Sequence, residues 1–363
     1  MDALVDATVR QIELRESRIV TVAETSHFSR TSHAFHFKLL RRLHEGGSFD
    51  CFASERLGAL DAVFMNAWLA GDLGDTSLDE LYDDVLPFGG LGTRMWMPYF
   101  KATQRPFHLL GLAPDDALSK VSDRKAATMK AALRTMKSTL ELIATPVFDG
   151  IVSLRVEGAA RTPRDAEIKR AFALAASATS WSTFRDAWKR EVLHAYREHG
   201  NLFINGFHLA RGGSVNMGHH FPARARPLFI GMGAAVHERQ CALIDEAWLA
   251  RLGITASDFA ASNAAARKAW SRFLENPGPK EYNALRARAR KAPVIFHGAP
   301  RGHALRKVEG NAKMPGFNTW GAEPYPVLRG VPPFDDGDLN EAMFDYIAFV
   351  PRSRQDAVTQ FFK

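Results

Sequence analysis

Seven short apolar runs constrain the fold of this chain more than any other feature, because each suits a strand and is too short for a buried helix. They span residues 18–24, 49–55, 107–112, 201–207, 227–233, 293–298 and 344–350. Their apolar residues are continuous instead of alternating with polar ones. That pattern is typical of strands that are covered on both faces in a mostly parallel sheet.

Helical segments separate these runs, at about 32–45, 60–70, 123–145, 163–198 with a break near ATSWSTFRD, and 254–275. The order β-α-β-α over the first ninety residues predicts a three-layer α/β fold with a mostly parallel central sheet. Between residues 115 and 200 we find almost no strand signal. We therefore expect a helical insertion that covers one side of the sheet, within a single domain over residues 1–363.

Composition narrows the function classes. The chain is 46% hydrophobic and 24% charged, as in soluble globular proteins. Its net charge is +7, but the Lys and Arg residues are mixed with acidic residues along the chain and no nucleic-acid-binding motif accompanies them. Cys51 and Cys241 lie far apart in the sequence, which argues against a disulfide framework. The sequence shows no signal peptide and no apolar run long enough to cross a membrane. We expect a cytoplasmic protein whose partner is a small molecule, with no nucleic-acid or membrane partner. Its oligomeric state is left open.

Polar side chains follow several predicted strands where those strands end. Glu24 ends the first run and His27 follows it, Glu55 ends the second run, and His208 follows the fourth. Ligands of an open parallel sheet bind beyond the carboxyl ends of its strands. A carboxylate beside an imidazole raises its basicity, so Glu24 and His27 together have the chemistry of a general base for water.

His36 is the next candidate, because it shares a helical stripe with Leu40 and Leu43 and so points inward. It also lies in the first turns of its helix, where the dipole disfavours the imidazolium. A neutral, hydrogen-bonding histidine is expected. Asn205, Arg30 and His297 are the other candidates for substrate binding.

The segment AETSH at residues 23–27 resembles a motif of the erythromycin esterase family, in which a strand ends in Gly-Glu-x-x-His. That family has an Arg on the next helix and a Glu at the end of the second strand. The segment INGFHLARGGSVNMGHHF resembles its HNAH strand end, and FDYIAFVPRSR resembles its closing strand. The resemblance implies a hydrolase that acts on an ester or lactone bond of a bulky natural product.

Three positions depart from the family pattern. Ala23 replaces the Gly before the motif Glu, His36 stands where the family has the helix Arg, and Asn205 replaces the first His of HNAH. The second His is retained as His208. A permanent cation is thus replaced by a titratable group.

In the leading hypothesis, Glu24 orients His27, His27 deprotonates a water, and Glu55 with His208 positions that water or protonates the leaving alkoxide. The chain has no Gly-x-Ser-x-Gly elbow for a covalent nucleophile, and no cofactor is expected. A second hypothesis assigns the same groups to a biosynthetic elimination, cyclisation or isomerisation. A third is a metal- or ligand-binding protein in which Glu24, His27, Glu55 and His208 hold a divalent metal.

Overall fold

Two compact units make up the chain: Met1–Ser48 together with Asn205–Lys363, and Phe49–Ile204. We call them the first and the second unit. The computed structural model describes residues 1–22, 30–54, 57–77, 81, 91–111, 120–177, 181–205, 221–239, 291, 294–297 and 346–355. The prediction of a single domain over 1–363 stays a prediction.

Strands and helices alternate along most of the described chain. The strands are β1 Ile19–Val22, β2 Cys51–Ser54, β3 His108–Gly111, β4 Lys120–Ser122, β5 Glu141–Phe148, β6 Ile151–Glu157, β7 Leu202–Asn205, β8 Leu228–Arg239, β9 Val294–His297 and β10 Tyr346–Gln355. The helices are α1 Asp2–Leu14, α2 Arg30–Glu45, α3 Ala59–Leu69, α4 Leu91–Thr103, α5 Asp123–Thr135, α6 Pro163–Ser177 and α7 Trp181–His199. None of these helices is both long and apolar enough to cross a membrane.

In the first unit the strand order is β1-β8-β10-β9. Strand β8 is parallel to β1 and to β10, and β9 is antiparallel to β10. The side chains of β1 are buried, as continuous apolar strands require when both faces are covered. Helix α2 buries the stripe Phe35, Leu39, Leu40 and Leu43, which the 3.6-residue period of its sequence predicts.

In the second unit the strand order is β3-β2-β7, with β7 contributing Leu202, Phe203 and Ile204, and β2 pairs with β3 in parallel. Gly111 ends β3 against the chain that enters α3: a Cβ there would lie 2.2 Å from the carbonyl oxygen of Gly58. Only glycine allows this approach. The start of α3 is therefore held against the end of the edge strand.

The side chain of Asn66 pairs with the outer edge of β3 at Leu109. Asn66 on α3 donates from Nδ2 to the carbonyl oxygen of Leu109 (2.9 Å), and its Oδ1 accepts from the Leu109 N–H (2.7 Å). The primary amide thus makes the two hydrogen bonds that a neighbouring strand would make. Edge strands need such protection, because their free N–H and C=O groups pair with other chains.

The segment 115–200 was predicted to be a helical insertion, and between residues 120 and 157 that prediction is wrong. Strands β4, β6 and β5 form a three-stranded antiparallel sheet there, and the helix predicted over 123–145 ends at Thr135. The hairpin between β5 and β6 turns at Asp149-Gly150, and Gly150 has φ +67°. Asp-Gly between apolar runs is a strong hairpin signal, which the helical prediction overlooked.

All seven predicted strands are present, at β1, β2, β3, β7, β8, β9 and β10. The predicted break between two helices falls between Ser177 and Trp181. The helix predicted over 254–275 lies outside the described residues. The mostly parallel α/β class is confirmed.

Candidate active site

Two of the predicted site residues contact each other in the first unit. The side-chain amide Nδ2 of Asn205 lies within hydrogen-bonding distance of Nδ1 of His36. His36 is fully buried and Asn205 is 3% exposed. A polar contact of this kind satisfies groups whose burial would otherwise be costly.

Regular structure fixes both partners. His36 lies in the second turn of α2, next to the buried Phe35, whose ring centroid is 6.2 Å away. Asn205 is the last residue of β7, directly after three fully buried residues of that strand. The pair therefore lies at the carboxyl end of a core strand, where ligands of parallel sheets bind.

The contact bears on the tautomer of the imidazole, because the role of a ring nitrogen depends on where the proton lies. With the Asn205 amide NH₂ as donor, Nδ1 of His36 is the acceptor and the proton of a neutral ring lies on Nε2. The neutral state expected from the helix position stays a prediction.

The four predicted catalytic residues, Glu24, His27, Glu55 and His208, lie outside the described residues. The structure does describe the strand ends that precede them: β1 ends at Val22, β2 at Ser54 and β7 at Asn205.

The remaining predicted substrate-binding residues lie at element boundaries. Arg30 begins α2 and His297 ends β9, and the structure describes the backbone positions of both. Their roles stay predictions.

Cys51 does not supply a nucleophile. Its side chain is fully buried in β2. Burial is the main cause that raises the pKa of the thiol, and the negative charge of the neighbouring Asp50 is the second cause. A thiol is reactive as the thiolate, which is suppressed here. Within the described ranges, no group of three or more His, Cys, Asp or Glu side chains is arranged to hold a metal ion. The proposed metal set lies elsewhere, in the four residues named above.

A second concave site, which the sequence did not reveal, lies wholly within the second unit. It is a cavity of about 740 Å³ between α3, β3, α6 and α7. Its floor is apolar, formed by Ala59, Ala62, Val63, Leu109, Leu110, Ala171 and Leu174. Its walls carry the charged and imidazole side chains of Arg164, Glu167, Arg170, Glu191, His194, Glu198 and His199.

His108 lines one end of this cavity and stacks on His199, with ring centroids 4.8 Å apart and planes inclined by 23°. Asp50 lies beside this stack: its Oδ1 is 3.5 Å from Nδ1 of His199, and its carbonyl oxygen accepts from the His108 N–H at 2.7 Å. Burial is the main cause that lowers the pKa of His108 to about 4, and the nearby His199 and Arg164 lower it further. The ring is therefore neutral near pH 7.

The sequence analysis considered polar residues at the carboxyl ends of strands. His108 lies at the start of β3, so it was not among those candidates. A signal was nevertheless present on the helices. Residues 164, 167, 170, 171 and 174 of α6, and 191, 194, 195, 198 and 199 of α7, follow the spacing of one helix face. Each face mixes charged with small or apolar side chains, as a solvated face rarely does.

Comparisons with known proteins return three solved structures as similar to this chain. One is a mutant of the erythromycin esterase EreC in its open conformation, at 13% identity and TM-score 0.39, covering 62% of this chain and 72% of that one. Another is a Bacillus cereus protein, at 9% identity and TM-score 0.47, covering 94% of this chain and 90% of that one. The third is a succinoglycan biosynthesis protein, at 11% identity and TM-score 0.38, covering 63% of this chain and 69% of that one.

No protein-family model matches the chain, and no curated protein matches it. An erythromycin esterase is thus among the solved structures to which the chain is similar. Because all three TM-scores are low, we base the functional proposal on this chain's own residues.

Proposed function

We propose that this protein is a hydrolase that uses a histidine-activated water to cleave an ester or lactone bond of a bulky small molecule. The observation that supports the proposal is the buried contact between Asn205 and His36. Sequence reasoning selected both positions as parts of one site, although they are 169 residues apart. Their contact is what a shared site requires.

In the proposed mechanism, Glu24 orients His27 and stabilises its imidazolium, and His27 takes a proton from water. The hydroxide adds to the carbonyl carbon, and the tetrahedral intermediate then expels the alkoxide as the C–O bond breaks. The alkoxide receives its proton from His27 or from His208, and Glu55 positions the water. Each positioned acid or base contributes roughly 10²–10⁴-fold to the rate.

His36 has a defined part in this proposal. Its side chain is fully buried against Asn205, so we assign it to holding the end of β7 in place beside the substrate. Because this position carries no permanent cation, the site does not attract anions in the ground state as an arginine would. The expected substrate is therefore an uncharged ester or lactone.

The same acid–base groups suit an elimination or cyclisation. The replacement of the family's Arg by a neutral pair favours this second function, because a reaction without a tetrahedral oxyanion has less need of a cation. The mass of the product separates the two functions. Hydrolysis adds one water to the substrate, whereas cyclisation and isomerisation do not.

The experiment is a screen of the full-length protein against macrocyclic and linear esters and lactones, with product masses read by mass spectrometry. The proposal expects turnover with addition of one water, and loss of that turnover in His27→Ala. Elemental analysis of the purified protein addresses the third hypothesis. Stoichiometric metal together with no turnover on any ester would favour a binding protein.

A further inference from the structure

None of the residues proposed for the hydrolase lines the cavity of the second unit, and the lining of this cavity includes charged side chains of both signs. Arg170 on α6 and Glu191 and Glu198 on α7 line the cavity. Arg170 and Glu198 are exposed to solvent and Glu191 is half-buried, and in the part of the chain that the structure describes none of the three makes a hydrogen bond or an ion pair. We propose that this cavity binds a small zwitterion with an aliphatic portion, of the amino-acid or short-peptide type.

The other charges of the cavity already satisfy one another. Arg164 donates to Glu167 at 2.6 Å and to Asp72 at 3.1 Å. Glu167 also accepts from Asn66 at 3.2 Å, which ties this network to the edge strand β3. These groups are fixed in place, so the recognition of a ligand falls to Arg170, Glu191 and Glu198.

The three remaining charges are opposite in sign and lie on different helices. A guanidinium on α6 suits a carboxylate, which it can bind in a bidentate manner, and carboxylates on α7 suit an ammonium group. Among the described residues, no ion pair joins the two sets. A ligand with one charge would contact only one of the two sets, whereas a zwitterion contacts both.

The rest of the cavity is suited to an uncharged portion. The stacked rings of His108 and His199 are part of the lining, and His108 is neutral near pH 7 because burial lowers its pKa. The floor consists of alanine, valine and leucine side chains. A volume of about 740 Å³ lies within the ordinary range for small-molecule sites.

The test is calorimetric titration of the full-length protein with three molecules that share one carbon skeleton. L-Leucine carries both charges, isocaproate only the carboxylate, and isoamylamine only the ammonium. We expect leucine to bind and each single-charge analogue to bind about tenfold more weakly or worse, since one charged contact is lost.

Variants assign each charge to its wall. Arg170→Gln should weaken the binding of leucine and isocaproate but leave that of isoamylamine unchanged. Glu191→Gln should weaken the binding of leucine and isoamylamine but leave that of isocaproate unchanged. The matched control is Arg190→Gln, which removes an exposed cation next to Glu191 that does not line the cavity. Methyl NMR of the full chain locates the ligand, because signals of Val63 and Leu109 should shift on addition of leucine.

Several results would overturn the proposal. Binding of neither leucine nor leucyl-leucine would show that the cavity is not such a site. Isoamylamine binding as tightly as leucine would make it a site for simple cations. If Arg190→Gln loses as much affinity for leucine as Arg170→Gln does, the loss reflects the overall surface charge and not a direct contact in the cavity. The thermal melting of each variant is measured as well, so that a misfolded variant is recognised. In that case the comparison of leucine, isocaproate and isoamylamine on the unaltered protein tests the proposal.

Discussion

Asn205 at the end of β7 contacts Nδ1 of His36 on α2, and these are two of the three positions where the chain departs from the erythromycin esterase pattern. Both side chains are buried, so the contact gives each a polar partner in the interior. Neither side chain carries the permanent charge that an arginine would bring to this position.

The first prediction concerns this pair. Asn205→Ala leaves the buried Nδ1 of His36 without its donor, and we expect a loss of about 1–3 kcal/mol in the free energy of unfolding. His36→Arg alone places a guanidinium against an amide NH₂ in a fully buried position and should cost at least as much. Chemical denaturation measures both.

The double variant His36→Arg with Asn205→His restores the family's residue types, and it should be more stable than His36→Arg alone. The coupling energy from the double-mutant cycle is the quantity of interest. Strictly additive effects would mean that the two side chains do not interact in solution.

The second prediction concerns the proposed base. His27→Ala should abolish turnover of any ester that the protein hydrolyses, whereas Glu24→Gln should lower kcat less, because the amide still accepts a hydrogen bond. The rate should fall as the pH drops through the histidine range, near 6.5 for an unperturbed imidazole. A His27→Ala protein with the wild-type rate would remove the general-base mechanism and favour a binding function.

The third prediction concerns Asn66, which is 5% exposed and pairs with both backbone groups of Leu109. Asn66→Leu keeps the branched arrangement of heavy atoms but deletes the two buried hydrogen bonds to Leu109 and the one to Glu167, so we expect a loss of about 2–4 kcal/mol in the free energy of unfolding. Hydrogen exchange gives the local readout. The Leu109 amide should lose protection while the amides of β2 keep theirs, and equal protection of Leu109 in both proteins would show that another group covers the edge.

The fourth prediction concerns Asp165, which lies in the first turn of α6 and forms a reciprocal cap with Thr162. Thr162 Oγ1 accepts from the Asp165 N–H at 3.0 Å, and Asp165 Oδ2 accepts from the Thr162 N–H at 3.2 Å. Burial alone would raise the pKa of Asp165, but hydrogen bonds from Ser138, from the Arg161 N–H and from Thr139 and Thr162 outweigh it and lower the pKa. The stabilisation is therefore present above the unfolded pKa and is lost as the pH falls through the lower folded pKa.

Asp165→Asn should accordingly cost about 1–2 kcal/mol in the free energy of unfolding at neutral pH, and less in acid. The matched control is Asp75→Asn, at an exposed carboxylate with no described partner. An equal effect of the two substitutions on denaturation midpoints would contradict the assigned role.

The fifth prediction uses the lowered pKa of His108, about 4 in the folded chain against about 6.5 for a free imidazole. Between these values the unfolded chain binds more protons, so the free energy of unfolding decreases as the pH falls. One such proton contributes a slope of at most about 1.4 kcal/mol per pH unit. His108→Gln should reduce this slope, measured by denaturation between about pH 6.5 and about pH 4.5. A His108 NMR titration centred near 6.5 would refute it.

Much of the fold follows from local pattern. The seven strands could be found because each apolar run is continuous and bounded by polar residues, so that β1 and β7 are visible without any knowledge of their partners. His36 was assigned an inward position from its helical stripe alone, and it is fully buried. Both features depend only on residues close together in the sequence.

What the sequence did not predict depends on tertiary pairing or on a competing local signal. The first five residues of β5 fall within the helix predicted over 123–145, and the Asp-Gly turn after the strand is the local signal that favours a hairpin. The role of Asn66 arises from a backbone segment 43 residues away, which no helical pattern reveals. The stacking of His108 on His199 likewise requires two elements to meet.

The close approach of Gly111 to Gly58 limits how the cavity of the second unit can vary. Any side chain at residue 111 would displace backbone at the start of α3, so mutation cannot reshape the floor there without moving the helix. The faces of α6 and α7 have no such restriction. Divergent versions of this protein should therefore acquire new ligand preferences by exchanging residues on those two helices while the strand and its glycine stay the same.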